Sequence, residues 1–256
     1  MNFIKIGILS VGNEIVKGRT VNTNAALIGR FFTSLGHEIS YVLSCRDKAE
    51  DIGLCLDFLV PMCEIIITTG GLGPTIDDIT IESISKHFRI ELSLNKEAFA
   101  ALSVKFKEEN VELTKERIKM AMMPEGCGTL ANNVGTAPGM ILHLSNNIIF
   151  SIPGVPEEMK SMLPEISKFI EPSGMEYYSI EYGIQGVKES TLAPNVKRIL
   201  KKFNHEMEIK THPQSREVPN QEIIIEIYGY GKSRIRLENI AEQIKKELDD
   251  VIAEEH

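Results

Sequence analysis

What this 256-residue chain lacks excludes several functions at once. None of its four cysteines, Cys45, Cys55, Cys63 and Cys127, forms a C-x-x-C pair. A zinc ribbon or thioredoxin-like site is therefore unsupported. The six histidines are scattered without an H-x-x-x-H pair, which argues against a histidine-zinc site. Ser10, Ser151 and Ser190 have no nucleophile-elbow context. No basic stripe offsets the net charge of −8, so a long nucleic acid is not an expected partner. No apolar run approaches the ~20 residues of a membrane helix. The apolar start, Phe3 to Leu9, lacks a signal peptide's basic region and cleavage site. Few cysteines in a chain this long suit a reducing cytosol. We expect a soluble cytoplasmic protein with neither membrane nor nucleic acid as partner.

What is present is ordinary for a globular protein: 43% hydrophobic and 25% charged residues exclude a disordered or fibrous chain. Residues 3–10 read as a buried strand ending at Gly12. Asn24 to Leu35 has helical spacing, with Gly36 as its stop. Strand 39–44, helix 48–60, strand 64–69 and helix 79–88 follow. This β-α alternation predicts a parallel sheet covered by helices on both faces. Helices are expected at 96–109, 114–122 and 156–170, and strands at 140–144 and 147–151 with a turn at Asn146-Asn147. The breaker Glu171-Pro172-Ser173-Gly174 marks a boundary. It separates an α/β/α domain over 1–171 from a small β-α-β-β-α domain over 175–256, the latter with strands near 177–185, 207–212 and 222–230.

Ligands of open parallel sheets bind beyond the carboxyl ends of the strands. Four loops qualify here: Gly12-Asn13-Glu14, Arg46-Asp47, Gly70 to Asp78, and Pro153-Gly154. In the third, Gly70, Gly71 and Gly73 expose N–H groups with no Cβ in the way, beside Pro74 and Thr75. The following helix N-terminus favours an anion such as phosphate. The spacing matches neither a P-loop nor a Rossmann fingerprint, and three glycines also fit a ligand-free tight turn. Asp77 or Asp78 also fits a helix N-cap. Glu14 and Asp47, each alone, also fit solvated loop acids. Acids facing a phosphate repel it unless a divalent ion lies between them. Glu14, Asp47 and Asp78 are the candidate ligands, with Asp77 in reserve. Lys17, Arg19, Arg46, Arg117 and Lys119 are candidate counter-charges.

"VGNEIVKGRTVNTN" (11–24), "TTGGLGPTIDDIT" (68–80), "MPEG" (123–126), "VGTAPG" (134–139) and "PGVPEEM" (153–159) occur in this order. Together they resemble the N-terminal part of the CinA (competence/damage-inducible protein A) family. That part includes a domain similar to the molybdopterin-binding domains of molybdenum-cofactor biosynthesis proteins. "GIQGVKESTLA" (183–193) and "IKTHPQ" (209–214) look like that family's small second domain. The resemblance implies a three-layer α/β/α fold with a mostly parallel sheet, a small α+β C-terminal domain and a homodimer. It also implies a metal-dependent ADP-ribose pyrophosphatase yielding AMP and ribose 5-phosphate. The metal-site positions of the related molybdopterin domains fall on Glu14, Asp47 and Asp78. Asn13 and Asn133 depart from the family's usual Thr and Pro. Full-length CinA carries a further nicotinamide-nucleotide amidase domain, for which 256 residues leave no room, so that activity is not expected.

The leading expectation is hydrolysis of a nucleotide diphosphate linkage with Mg²⁺, Mn²⁺ or Co²⁺. Asp77 would orient water, and Arg46 or Arg117 would offset charge. The alternatives are molybdopterin binding, with adenylyl transfer or metal insertion, and a nucleotide- or pterin-binding protein without turnover. Lys210, His212 and Arg216, in the loop of the small domain, either reach a ligand or form only a surface turn, and the surface turn is the favoured reading.

Overall fold

The computed structural model describes residues 4–185, 189–213 and 222–254. The first strand, β1 (Lys5–Val11), leads through the single turn α1 (Asn13–Val16) to α2 (Thr23–Ser34). Then follow β2 (Glu38–Cys45), α3 (Ala49–Leu59), β3 (Ile65–Thr69) and α4 (Thr80–Phe88). After β4 (Leu92–Leu94) come α5 (Lys96–Glu108), α6 (Lys115–Ile118), a 3₁₀ turn and β5 (Met122–Pro124). The chain continues through β6 (Gly128–Leu130), β7 (Gly139–His143), β8 (Ile148–Ile152) and α7 (Pro156–Ser167). The main sheet has the order β2-β1-β3-β8-β7-β6. β2, β1, β3 and β8 are parallel, and β7 and β6 run antiparallel at one edge.

Period-2 alternation divides each central strand between two apolar layers. Ile6, Ile8, Ile67 and Phe150 point to the side where α2 and α7 supply Ile28, Phe32, Met159 and Met162. Leu9, Ile66 and Ile149 point to the other, where α3, α4 and α5 supply Ile52, Leu56, Ile84 and Leu102. Gly7 lets the end of α3 lie directly on β1, since a Cβ there would stand 2.8 Å from Leu59 Cδ2. The sheet is thus buried on both faces, as a mostly parallel sheet requires, and the α/β/α layering matches the sequence reading.

Two expectations need correction. The helix expected over 114–122 is one turn, α6, followed by the 3₁₀ turn Lys119–Ala121. Met122 turns to extended backbone, and Met122–Pro124 pairs antiparallel with Leu92–Leu94. Pairing in a two-stranded ribbon overrides the helical spacing there. The segment 128–151 holds three strands rather than two, because Gly128–Leu130 pairs with Gly139–Ile141. The β7–β8 turn closes where Leu144 N–H donates to Asn147 O at 2.9 Å, as the Asn-Asn pair suggests.

The chain divides into two compact units, one holding His37–Glu171 with the chain up to Thr33, the other Ser34–Gly36 with the chain from Pro172 on. The second unit contains β9 (Glu176–Gln185), α8 (Glu189–Lys202), β10 (Glu208–Pro213), β11 (Glu222–Gly231) and α9 (Arg234–Glu254). Its antiparallel sheet has the order β10-β11-β9. Ile225, Ile227, Leu192, Ile199, Ile244 and Leu248 form its own core. Among the described residues, no helix is long and apolar enough to cross a membrane.

Candidate ligand-binding cleft

The carboxyl ends of β1, β2, β3 and β8 share one edge of the sheet because those strands are parallel. The loops that follow them enclose a cleft of about 630 Å³. Its floor is the β3–α4 turn. Gly70 has φ +102°, and a Cβ on it would lie 2.3 Å from Val11 O. Gly71 has φ +70°, and a Cβ there would meet Thr80 Oγ1 at 2.2 Å. Both conformations favour glycine. Thr80 fastens the turn: its Oγ1 donates to Gly70 O at 2.8 Å and its N–H to Gly71 O at 3.1 Å. Gly154 abuts the same turn, since a Cβ on it would be 3.2 Å from Gly70 Cα.

The carboxylates have defined local partners. Asp78 Oδ2 accepts from Thr75 N–H at 2.8 Å and from Thr75 Oγ1 at 2.6 Å, closing the 75–78 turn. Asp47 Oδ2 accepts from Asn13 N–H at 2.7 Å and so ties the β2 loop to the β1 loop. Burial pushes the Asp47 carboxyl above its usual range, the Asn13 bond opposes this, and the charges of Glu14 and Asp77 push it further up. Five carboxylates line the cleft, Glu14, Asp47, Asp77, Asp78 and Glu158, with no Lys, Arg or His among the described lining residues. No group of three His, Cys, Asp or Glu among the described residues is placed to hold a metal ion unaided.

On the α2 side, Asn22 Oδ1 accepts from Ala25 N–H at 3.1 Å, capping α2. Asn24 is only 9% exposed. Its Nδ2 donates to Gly154 O at 2.8 Å and to Thr69 Oγ1 at 3.2 Å. Thr69 Oγ1 in turn donates to Pro153 O at 2.9 Å. These bonds pin the β8 loop to the end of β3.

This cleft is what the comparisons bear on. Residues 7–172 match the family described as probable molybdopterin binding domain. The chain belongs to that family. Its molybdopterin-binding domain is of the CinA type: a crystal structure of the protein CinA, of unknown function, from Thermoplasma acidophilum is 37% identical. That likeness has a TM-score of 0.62 and covers 66% of this chain and 99% of that one. A protein of Caldivirga maquilingensis is 37% identical over 96% of this chain and 95% of its own length. One from Sulfurisphaera tokodaii is 40% identical over 95% and 92%, respectively.

The residues singled out from the sequence of this molybdopterin-binding domain divide clearly. Gly12, Asn13, Glu14, Asp47, Gly70, Gly71 and Gly73 line the cleft. So do Pro74, Asp77, Asp78, Pro153 and Gly154. Thr75 holds the loop through Asp78 and accepts from Lys119 Nζ at 3.1 Å. Arg46 is outside the lining and pairs with Asp51 through both Nε and Nη2. Arg117 stacks 4.9 Å from the Phe106 ring centre and donates to Glu112 O. Lys17 and Arg19 continue the turn after α1, outside the lining. In the second unit, Lys210 lies over the Tyr228 ring and His212 Nε2 is 3.1 Å from Glu226 Oε2. Arg216 lies outside the described residues. Asn24 and Glu158 were not singled out, although both fall inside quoted motifs. A second asparagine just inside the helix that Asn22 caps is the signal that a polar clamp was wanted there.

The Asp47 environment makes a testable prediction. A carboxyl whose folded value is raised binds its proton more tightly folded than unfolded. Its ionisation therefore costs stability as pH rises from the ordinary carboxylate range through the raised value. Asp47→Asn keeps an acceptor for Asn13 N–H. The variant should melt above wild type near about pH 7, and the two curves should converge in acid. Thermal melts across pH check this. A variant less stable than wild type at neutral pH contradicts it.

Proposed function

We propose that the cleft binds a small phosphorylated ligand of the pterin class, together with a divalent cation. The carrying observation is the cleft's charge: a glycine turn whose backbone no side chain shields sits among five carboxylates, with no Lys, Arg or His among the described lining residues. Such a lining rejects a phosphate on its own and accepts one that arrives with a hard cation. The donor set is all carboxylate oxygen, which suits Mg²⁺ or Mn²⁺ rather than a thiophilic metal. One or two of Glu14, Asp47 and Asp78 would hold it, with the ligand's phosphate and water completing its shell. When bound, a divalent ion neutralises phosphate charge and polarises phosphorus.

The chain's own residues do the rest. Gly71 and Gly73 let backbone approach the phosphate, and Thr80 keeps the turn in shape. Lys119 offers an ammonium near the glycine turn: it lines a small pocket with Gly73 and Asp78 and bonds only a carbonyl among the described residues. It adds positive charge at the rim. The family supports the pterin class for the organic part.

Hydrolysis of ADP-ribose is a second reading, favoured by the CinA kinship and by the exposed Asp77 beside Asp78. The test is binding and turnover on metal-stripped protein. A pterin monophosphate should bind with Mn²⁺ present and much more weakly without it. AMP released from ADP-ribose only with metal would favour the second reading. Failure of both probes to bind or react contradicts the site.

A further inference from the structure

The segment 73–78 is held at its two ends and hardly in between. Leu72 before it and Thr80 after it are both buried. Between them Pro74, Thr75, Ile76 and Asp77 are all exposed. The segment closes on itself through the bonds of Thr75 to Asp78. Among the described residues, its one hydrogen bond to a distant part of the chain runs from Lys119 Nζ to Thr75 O, at the surface. A short stretch with few buried contacts and few outside bonds shifts easily, and lids are drawn from such stretches.

Ile76 stands at the tip of this segment. It lies between the cleft-lining Pro74 and Asp77 and is 92% exposed. The loops across the cleft carry its counterpart. Val21 precedes α2 and Val155 precedes α7, two helices on the face of the sheet opposite to α4. Both valines line the cleft yet are 80% and 53% exposed, which places them at its mouth. One exposed aliphatic side chain needs no explanation. Three around a single acidic mouth, on walls that face each other, are apolar surface that a small movement of one wall covers.

The cleft's charge decides when that movement occurs. Asp77 rides on the segment, Glu14 and Asp47 sit on the β1 and β2 loops, and the charges of Asp77 and Glu14 are both felt at Asp47. Repulsion among these acids holds the segment away while no cation is present. A divalent ion carrying its phosphate turns the same charges into attraction. We propose that residues 73–78 form a lid that closes over bound ligand and cation, laying Ile76 against Val21 and Val155. Closure shuts water out of the acidic cleft, which strengthens the hold of carboxylates on the cation, and it slows ligand release. The lid rests on the phosphorylated ligand and cation proposed above and adds how the cleft retains them.

The chain contains no tryptophan, so Ile76→Trp provides a single reporter. Produced with fluorotryptophan, the full chain gives one fluorine NMR signal, whose shift between H₂O and D₂O measures its exposure to water. A pterin monophosphate with Mg²⁺ should move that signal and abolish most of its solvent shift, in step with binding followed by calorimetry. Val104→Trp, at an exposed position of α5, should show neither change. Adding Val155→Ser to Ile76→Trp should restore part of the solvent shift, because the ring loses the surface it closes on. Ile76→Ser alone should release ligand about tenfold faster with association little changed, the size expected from losing one apolar contact. Calorimetric binding with the Ile76→Trp signal still fully exposed, or native release from Ile76→Ser, overturns the lid and leaves ligand binding standing. If calorimetry shows no binding, the phosphate-cleft reading falls and the lid with it.

Discussion

Asp78→Ala should remove metal-dependent ligand binding while leaving the protein folded. Asp78 does two jobs. Its Oδ2 closes the loop through Thr75, and its charge faces the cleft beside Gly73, where a Cβ would come within 2.7 Å of Oδ2. Losing the turn bonds should cost about 1 kcal/mol of stability, the usual net worth of such a contact. Losing a metal donor should cost more than the ~10–100-fold expected for a mere supporting partner. Asp78→Asn separates the two roles. It keeps acceptors for both Thr75 groups and drops the charge, so it should melt like wild type yet bind as poorly as the alanine variant. Calorimetry and thermal melts on the pair decide this. Wild-type affinity in Asp78→Asn would show that the turn, not the charge, is what matters.

Gly70→Ala should have the largest effect on folding. The new Cβ meets Val11 O at 2.3 Å, and the backbone is at φ +102°, so neither a rotamer change nor a side-chain shift relieves the clash. Val11 ends β1 and Gly154 presses from the β8 side, so the strand ends themselves must separate. Backbone strain of this kind costs ~1–3 kcal/mol. With the overlap added, a loss of about 3 kcal/mol or more is expected. Gly126→Ala is the control. Gly126 also has positive φ, at +78°, but a Cβ there meets nothing within 4 Å. It should lose only about 1 kcal/mol. Chemical denaturation compares them. Similar losses in both would mean that conformation alone, and not the packing of strand ends, constrains Gly70.

These two sites show what was legible in the sequence. The glycine turn and the acids beside it stand out because strand-end position and residue type agree. Parallel strand order then brings Glu14, Asp47 and Asp78 to one edge with no further information. Arg46 and Arg117 were harder. Their charge suits a phosphate, but Asp51 in the first turn of α3 takes Arg46, and the Phe106 ring lies under Arg117. Such pairings across elements leave no trace in local pattern. Asn24 and Glu158 were invisible as site residues for a related reason. Each reads as an ordinary helix-start residue, and only packing against Gly154 and Gly135 reveals the clamp. The ribbon of β4 and β5 escaped because three-residue strands carry too little periodicity to oppose a helical spacing.

The most direct test of the central claim is a Mn²⁺ titration of the metal-stripped protein, following free Mn²⁺ by its magnetic resonance signal, with and without a saturating pterin monophosphate. Carboxylates and phosphate completing one another's site predicts weak Mn²⁺ binding alone and much tighter binding with ligand. By linkage, Mn²⁺ should tighten the ligand by the same factor. Mn²⁺ affinity that is indifferent to the ligand would contradict the account.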